Sequence, residues 1–314
     1  MRSKMLRTAT AVVLLSSLPF AALAAPEGWK SLLDPADLSA ILAADPTVRV
    51  VHVSGDFAKG HIPGAVFSAY AEWRGPQENP GQLRDIAHLT TLVQGLGITA
   101  DTPVAVVHEG KNPTDMGTAA RVYWTLKSLG VEDLALLNGG FAAWQGASLP
   151  VSTEAATVAA SSFQPVWSDA WRVSTEEVKK LVDAGDARLL DARPKGFFEG
   201  ETWTSARPGT IKGAENLTYE DWFVGTSMVD AEDARALAVA AGKTEAPLTV
   251  SFCNTGHWAA INWFALSEVA GVQNTRLYAE SMVEYGTLGG ALDNEPGRVK
   301  VMWVNTKKWV EGLF

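Results

Sequence analysis

Short apolar runs and amphipathic stretches alternate along this chain, and the same alternation occurs twice. Val48-Arg49-Val50-Val51-His52-Val53 reads as a buried strand, and so does the run from Pro103 to Glu109. Residues 118–126 carry helical spacing, and Leu134 to Leu137 form a further short strand. The second half repeats that order, with strands at 188–192, 247–253 and 276–278 and a helix over 259–266. Each helix runs into a glycine, Gly130 or Gly271, which suits a C-terminal stop. Strands alternating with helices predict an α/β fold whose sheets are mostly parallel and flanked by helices on both faces.

The repeat is visible in motifs as well as in pattern. Gly60-His61-Ile62-Pro63-Gly64-Ala65 returns as Gly209-Thr210-Ile211-Lys212-Gly213-Ala214. The pair Tyr123-Trp124 aligns with Trp263-Phe264, and the strand ending at Glu109 aligns with the strand ending at Cys253. Two copies predict two domains, over 25–150 and 169–314, joined by a Ser-, Thr- and Ala-rich connector at 151–168.

Residues 1–24 read as an export signal rather than as structure. Arg2, Lys4 and Arg7 precede an apolar stretch, and Ala22-Leu23-Ala24 forms a small-residue cleavage site before Ala25. That stretch is shorter than the ~20 residues a membrane span needs. The expectation is a cleaved, periplasmic or secreted protein with no membrane attachment. Removing the three basic residues takes the formal net charge from -9 to about -12. Such an acidic chain is not expected to bind nucleic acid.

Cys253 is the single cysteine, which excludes an intrachain disulfide and any multi-cysteine metal site. The scattered histidines show no helical metal-ligand spacing, and no metal or other cofactor is expected. Cys253 sits at the carboxyl end of a central strand, ahead of a short loop and a helix, where open α/β sheets bind ligands. A loop of Asn254, Thr255, Gly256, His257 and Trp258 curled around the sulfur would aim backbone N–H groups at one anion. Such a cradle favours a thiolate.

With these residues in view, the chain resembles a tandem-domain rhodanese, a thiosulfate or mercaptopyruvate sulfurtransferase. His61-Ile62-Pro63-Gly64-Ala65, the Asp191-Ala192-Arg193 strand end and Leu137-Asn138-Gly139-Gly140-Phe141-Ala142-Ala143-Trp144 match that family's elements. The resemblance implies a catalytic second domain with nucleophile Cys253 and an inactive first domain, Glu109 standing where Cys253 stands. It implies transfer of a sulfane sulfur from a small donor such as thiosulfate, through a Cys253 persulfide, to cyanide or a thiol. A secreted protein is a further possible acceptor class. Residues 254–258 would stabilise the anionic states. Asp191 and Arg193 would support the loop or, in the case of Arg193, touch substrate. His257 is open between a proton carrier and a loop-shaping residue.

Two cations usual in the family are missing. Trp258 stands where a basic loop residue is common, and Phe197 stands where another precedes an aromatic, here Phe198. Lys195, Arg193, Arg207 or Lys212 are candidates to compensate. The aromatic substitutions point toward a less polar donor or a protein acceptor, and they leave a non-enzymatic sulfur carrier or docking module as an alternative. A rhodanese-fold phosphatase would need Cys-x5-Arg, and position 259 is Ala.

Overall fold

In the computed structural model, which describes residues 25–297 except 245, together with 299, 302, 303 and 306, each half of the chain builds an open parallel sheet. The first half sets Leu32–Leu33, Leu134–Leu137, Val104–Val107, Arg49–His52 and Val66–Phe67 side by side in that order. The second half sets Thr275–Leu277, Thr249–Phe252, Arg188–Asp191 and Glu215–Asn216 in the matching order. Arg172 adds one parallel bridge beyond Leu277, at the place of Leu32 in the first sheet. The export signal expected over 1–24 lies outside the described residues.

Alternate residues of each strand serve opposite faces, so each sheet feeds two cores. Ala105 and Val107 turn to an outer core with Leu38, Ile41 and Trp144. Val104 and Val106 turn to the inner one with Leu89, Val93 and the helix Met116–Ser128. In the second sheet Val250 and Phe252 meet Val178 and Met282 on the outside. The inner core runs on without a break from the first domain into the second, where it takes in Leu190, Cys253, Ala260 and Trp263.

The helices Met116–Ser128 and Trp258–Phe264 meet at the centre of this shared core. The aromatic pairs that align in the repeat touch here, with Tyr123 edge-on to Phe264 at 5.0 Å between ring centroids. The two domains are therefore joined by a buried apolar interface rather than by their connector alone. The connector lies along the first domain: His61 bridges to Ser152, and the Ser161 hydroxyl donates to the Ile98 carbonyl at 2.6 Å.

The strand registers correct one position in the repeat. Val107 pairs with His52 as Phe252 pairs with Asp191. Beyond the strands, the Phe141 N–H donates to the His108 carbonyl as the Met282 N–H donates to that of Cys253. His108, not Glu109, is thus the counterpart of Cys253. Matching Pro103 with Pro247 slips the alignment by one residue, because the first strand starts one residue after its proline and the second starts two after.

Candidate active site

Cys253 leaves the carboxyl end of Thr249–Phe252 and is 1% exposed. Its N–H donates to Ser281 Oγ at 3.1 Å, and that hydroxyl donates to the Tyr278 carbonyl at 2.8 Å. Ser281 holds a left-handed backbone at φ 55°, where the first domain has Gly140 at φ 63°. A glycine position filled by serine brings a hydroxyl against the cysteine backbone. The repeat held that signal, but the sequence motifs did not single out Ser281.

The following loop is tightly held from several sides. Gly256 has φ +71°, and a β-carbon there would stand 2.3 Å from the Ala279 carbonyl oxygen and 2.6 Å from Arg121 Nη1. No protein acceptor among the described residues takes the N–H groups of Asn254 through His257, which leaves them free for an anion. The Val283 N–H donates to the Asn254 carbonyl at 3.0 Å.

Asp191 and Arg193 form a closed pair beneath the loop, both with side chains 0% exposed. Arg193 donates from Nε and Nη2 to the Asp191 carboxylate, from Nη2 to the Gly209 carbonyl at 2.8 Å, and from Nη1 to Asn254 Oδ1 at 3.2 Å. Thr210 Oγ1 donates to Asp191 at 2.7 Å, and the Asn216 amide caps the carbonyls of residues 191 and 193. The D-x-R element thus fixes the first loop residue.

His257 and Trp258 turn to the first domain. His257 Nε2 donates to the Thr114 carbonyl at 2.8 Å, so Nδ1 accepts from the Tyr70 hydroxyl at 3.0 Å. Burial, and next the nearby Arg74 charge, push this imidazole down to about 4, which keeps it neutral at ordinary pH. Both ring nitrogens are engaged away from the sulfur, the arrangement of a loop-shaping residue. Trp258 stacks on Tyr219 with centroids 5.1 Å apart, meets Phe197 edge-on at 5.9 Å, and donates from Nε1 to Thr114 Oγ1 at 2.5 Å.

The first domain supplies residues that the sequence reading missed. Tyr70 and Arg74 come from the turn after Val66–Phe67, the edge strand of the first sheet, and Arg121 comes from the interface helix. Arg74 Nη2 donates to the Thr255 carbonyl at 2.7 Å, and Arg74 also donates to Tyr70 Oη. A continuous chain of hydrogen bonds runs Arg74, Tyr70, His257, Thr114. A sign of it was present in the repeat, since Tyr70-x-x-Trp73 returns as Tyr219-x-x-Trp222 on matching backbone hydrogen bonds.

The rhodanese-like domain family matches the chain twice, over residues 34–147 and 174–287. The chain belongs to the rhodanese family. A relative from Synechococcus elongatus, provisionally named thiosulfate sulfurtransferase, is 27% identical over 90% of this rhodanese and 94% of its own length. The 3-mercaptopyruvate sulfurtransferase of Escherichia coli is 28% identical over 77% of this chain and 86% of its own. Among solved structures, SseA from Escherichia coli superposes with a TM-score of 0.70 at 23% identity, covering 80% of this chain and 98% of that one. The anaerobic ergothioneine biosynthesis enzyme of Chlorobium limicola gives 0.75 at 19% identity, covering 85% and 71%. These two show the shared fold, and the named sequence relatives are sulfurtransferases.

Within this rhodanese, three of the candidate compensating cations are occupied. Arg193 serves Asp191, Arg207 pairs with Glu295 at 2.9 Å, and exposed Lys195 faces Glu199 at 3.5 Å. Among the described residues, the cations beside the loop with no carboxylate in contact are Arg74 and Arg121.

The buried histidines set a pH dependence. Burial drives His52 down to about 3 and His108 to about 4, alongside His257. Each folded value lies below the unfolded one of about 6.5, so the unfolded chain binds more protons between the two. Stability is therefore unaffected above about 6.5 and falls as the pH drops toward 4, by up to about 1.4 kcal/mol per pH unit for each histidine. Thermal melts across this range should show a steady decline beginning near pH 6.5. A melting temperature flat from pH 7 to about 5 would show that these imidazoles titrate normally in the fold.

Proposed function

We propose that this protein is a sulfurtransferase that works through a persulfide on Cys253. The observation that carries this reading is the placement of the single cysteine at the sheet's carboxyl edge, directly before a loop in which the N–H groups of residues 254–257 have no protein acceptor among the described residues. In the first half-reaction the thiolate attacks the sulfane sulfur of a donor. With thiosulfate, the new S–S bond forms as the old one breaks, and sulfite leaves with the electron pair. The persulfide keeps one negative charge, which the free N–H groups of residues 254–257 are suited to hold. In the second half-reaction cyanide or a thiolate attacks the outer sulfur and leaves as thiocyanate or a new persulfide, returning the Cys253 thiolate. Asp191, Arg193, His257 and Trp258 act by shaping the loop. The signal-like residues 1–24 support action in the periplasm or outside the cell.

The wall of Phe197, Trp258 and Tyr219 favours a donor less charged than thiosulfate, or an acceptor that is itself a protein. A panel of thiosulfate, mercaptopyruvate and organic persulfides tests this, with Trp258→Arg beside the wild type. The variant should gain roughly tenfold in kcat/KM for thiosulfate, about 1.4 kcal/mol of added transition-state contact, with no gain for the organic donors. Rapid, saturable thiosulfate turnover by the wild type, unmatched by any other donor, would remove the preference. Failure of the loaded wild type to pass sulfur to small thiols, with ready transfer to a protein thiol, would favour the carrier reading.

A further inference from the structure

The charged side chains buried among the described residues are Arg74, Arg121, Asp191, Arg193, Lys243 and Glu280. Four of them have an opposite charge in contact: Asp191 with Arg193, Lys243 with Glu215, and Glu280 with Arg172. Arg74 and Arg121 have none. Arg74 donates to the carbonyls of Pro80 and Thr255 and to the Tyr70 hydroxyl, all neutral groups. Arg121 donates from Nη2 to the Gly81 carbonyl at 3.0 Å, while its Nε and Nη1 are buried without a protein partner among the described residues.

A buried guanidinium without an anion is costly, so such a group calls for a counter-charge. Both of these arginines adjoin the loop that follows Cys253. Arg74 grips Thr255, and Arg121 Nη1 faces Gly256 so closely that a β-carbon there would stand 2.6 Å from it. The Arg121 guanidinium carbon lies over the Trp124 ring, 4.8 Å from its centroid, which limits its swing.

We propose that the sulfur of Cys253 is the missing anion, as thiolate at rest and as persulfide when loaded, and that Arg121, backed by Arg74, is the positioning cation that holds this charge. The first domain thereby replaces the basic loop residue that gave way to Trp258. The persulfide half of this proposal rests on the sulfurtransferase reading; the thiolate half does not.

The other groups around the cluster fit this assignment. The Tyr70 hydroxyl donates a hydrogen bond to His257, and His257 is neutral. Ser281 offers a neutral hydroxyl to the Cys253 backbone. Asp191 and Arg193 cancel beneath Asn254. Glu280 faces Arg121 through space, but its carboxylate is bound by Arg172 at 2.5 Å. Burial and the Arg74 charge bring Arg121 down to about 10, while Tyr70, Glu280 and Cys253 act in the opposite direction, so it remains a cation at neutral pH.

The test is a titration of thiolate ultraviolet absorbance on the full chain, taken as wild type minus Cys253→Ser, which needs no reagent to reach the buried sulfur. In Arg121→Met, with its own Cys253→Ser reference, the midpoint should move up by about one pH unit or more. Arg121→Lys, which keeps the charge, should move it less. A folded Arg121→Met with the wild-type midpoint overturns the proposal. Should that variant not fold, the wild type decides alone: its midpoint must lie below that of the same chain unfolded in urea, and a midpoint at or above it overturns the proposal equally. Donor loading, read separately by intact mass, reports on the sulfurtransferase reading, so either claim can fail without the other.

Discussion

Asp191→Asn is expected to destabilise the second domain by about 3–5 kcal/mol, the usual result of removing one partner from a buried ion pair. The carboxylate accepts from Arg193 and Thr210, and none of these groups reaches solvent for compensation. Asparagine keeps the shape but leaves the Arg193 guanidinium buried among neutral acceptors. The effect should spread to the loop, because the same arginine holds Asn254. Urea unfolding measures the loss, and turnover should fall with it even under conditions where the variant is folded. Replacing both partners with apolar residues, Asp191→Leu with Arg193→Met, should recover part of the stability while leaving the loop unanchored. A loss below about 1 kcal/mol for Asp191→Asn would mean that the pair is not the buried support described above.

The second large effect concerns Cys253 itself. Cys253→Ser should reduce sulfur transfer to the uncatalysed background for every donor, because a hydroxyl at neutral pH is not the ionised nucleophile that the reaction requires. The side chain differs by one atom, and the backbone bonds of Cys253 to Ser281 and Met282 do not involve it. The circular dichroism spectrum should therefore be unchanged. Residual turnover near the wild-type rate would move the chemistry away from the only sulfur nucleophile in the chain.

Much of the fold can be read along the chain because hydrophobic alternation and paired glycine motifs are local signals. Val104 through Val107 announce a strand buried on both faces, and the aromatic pairs at 123–124 and 263–264 mark matching helices that turn out to touch. The position of Cys253 before a glycine-containing loop is equally local. Register is not, since it is set by hydrogen bonds between strands that lie far apart in sequence. The prolines ahead of two of them misled the alignment by one residue, from His108 to Glu109.

The charged part of the site was hidden for a related reason. Arg74 and Arg121 lie more than a hundred residues from the loop they meet, and only the packing of one domain on the other brings them there. Along the sequence Arg121 is one of two charged residues in the helix, with Lys127, and nothing local gives its guanidinium a partner. The expectation that residues near Asp191 would restore the missing charge looked within a single domain, whereas the inner core and the cations both cross between two.

Intact-mass spectrometry of the wild type after exposure to a panel of sulfane donors tests the central claim most directly. A gain of one sulfur atom, removed by cyanide or a thiol and absent from Cys253→Ser, is the predicted result. A wild-type mass unchanged by thiosulfate, mercaptopyruvate and organic persulfides alike would contradict it.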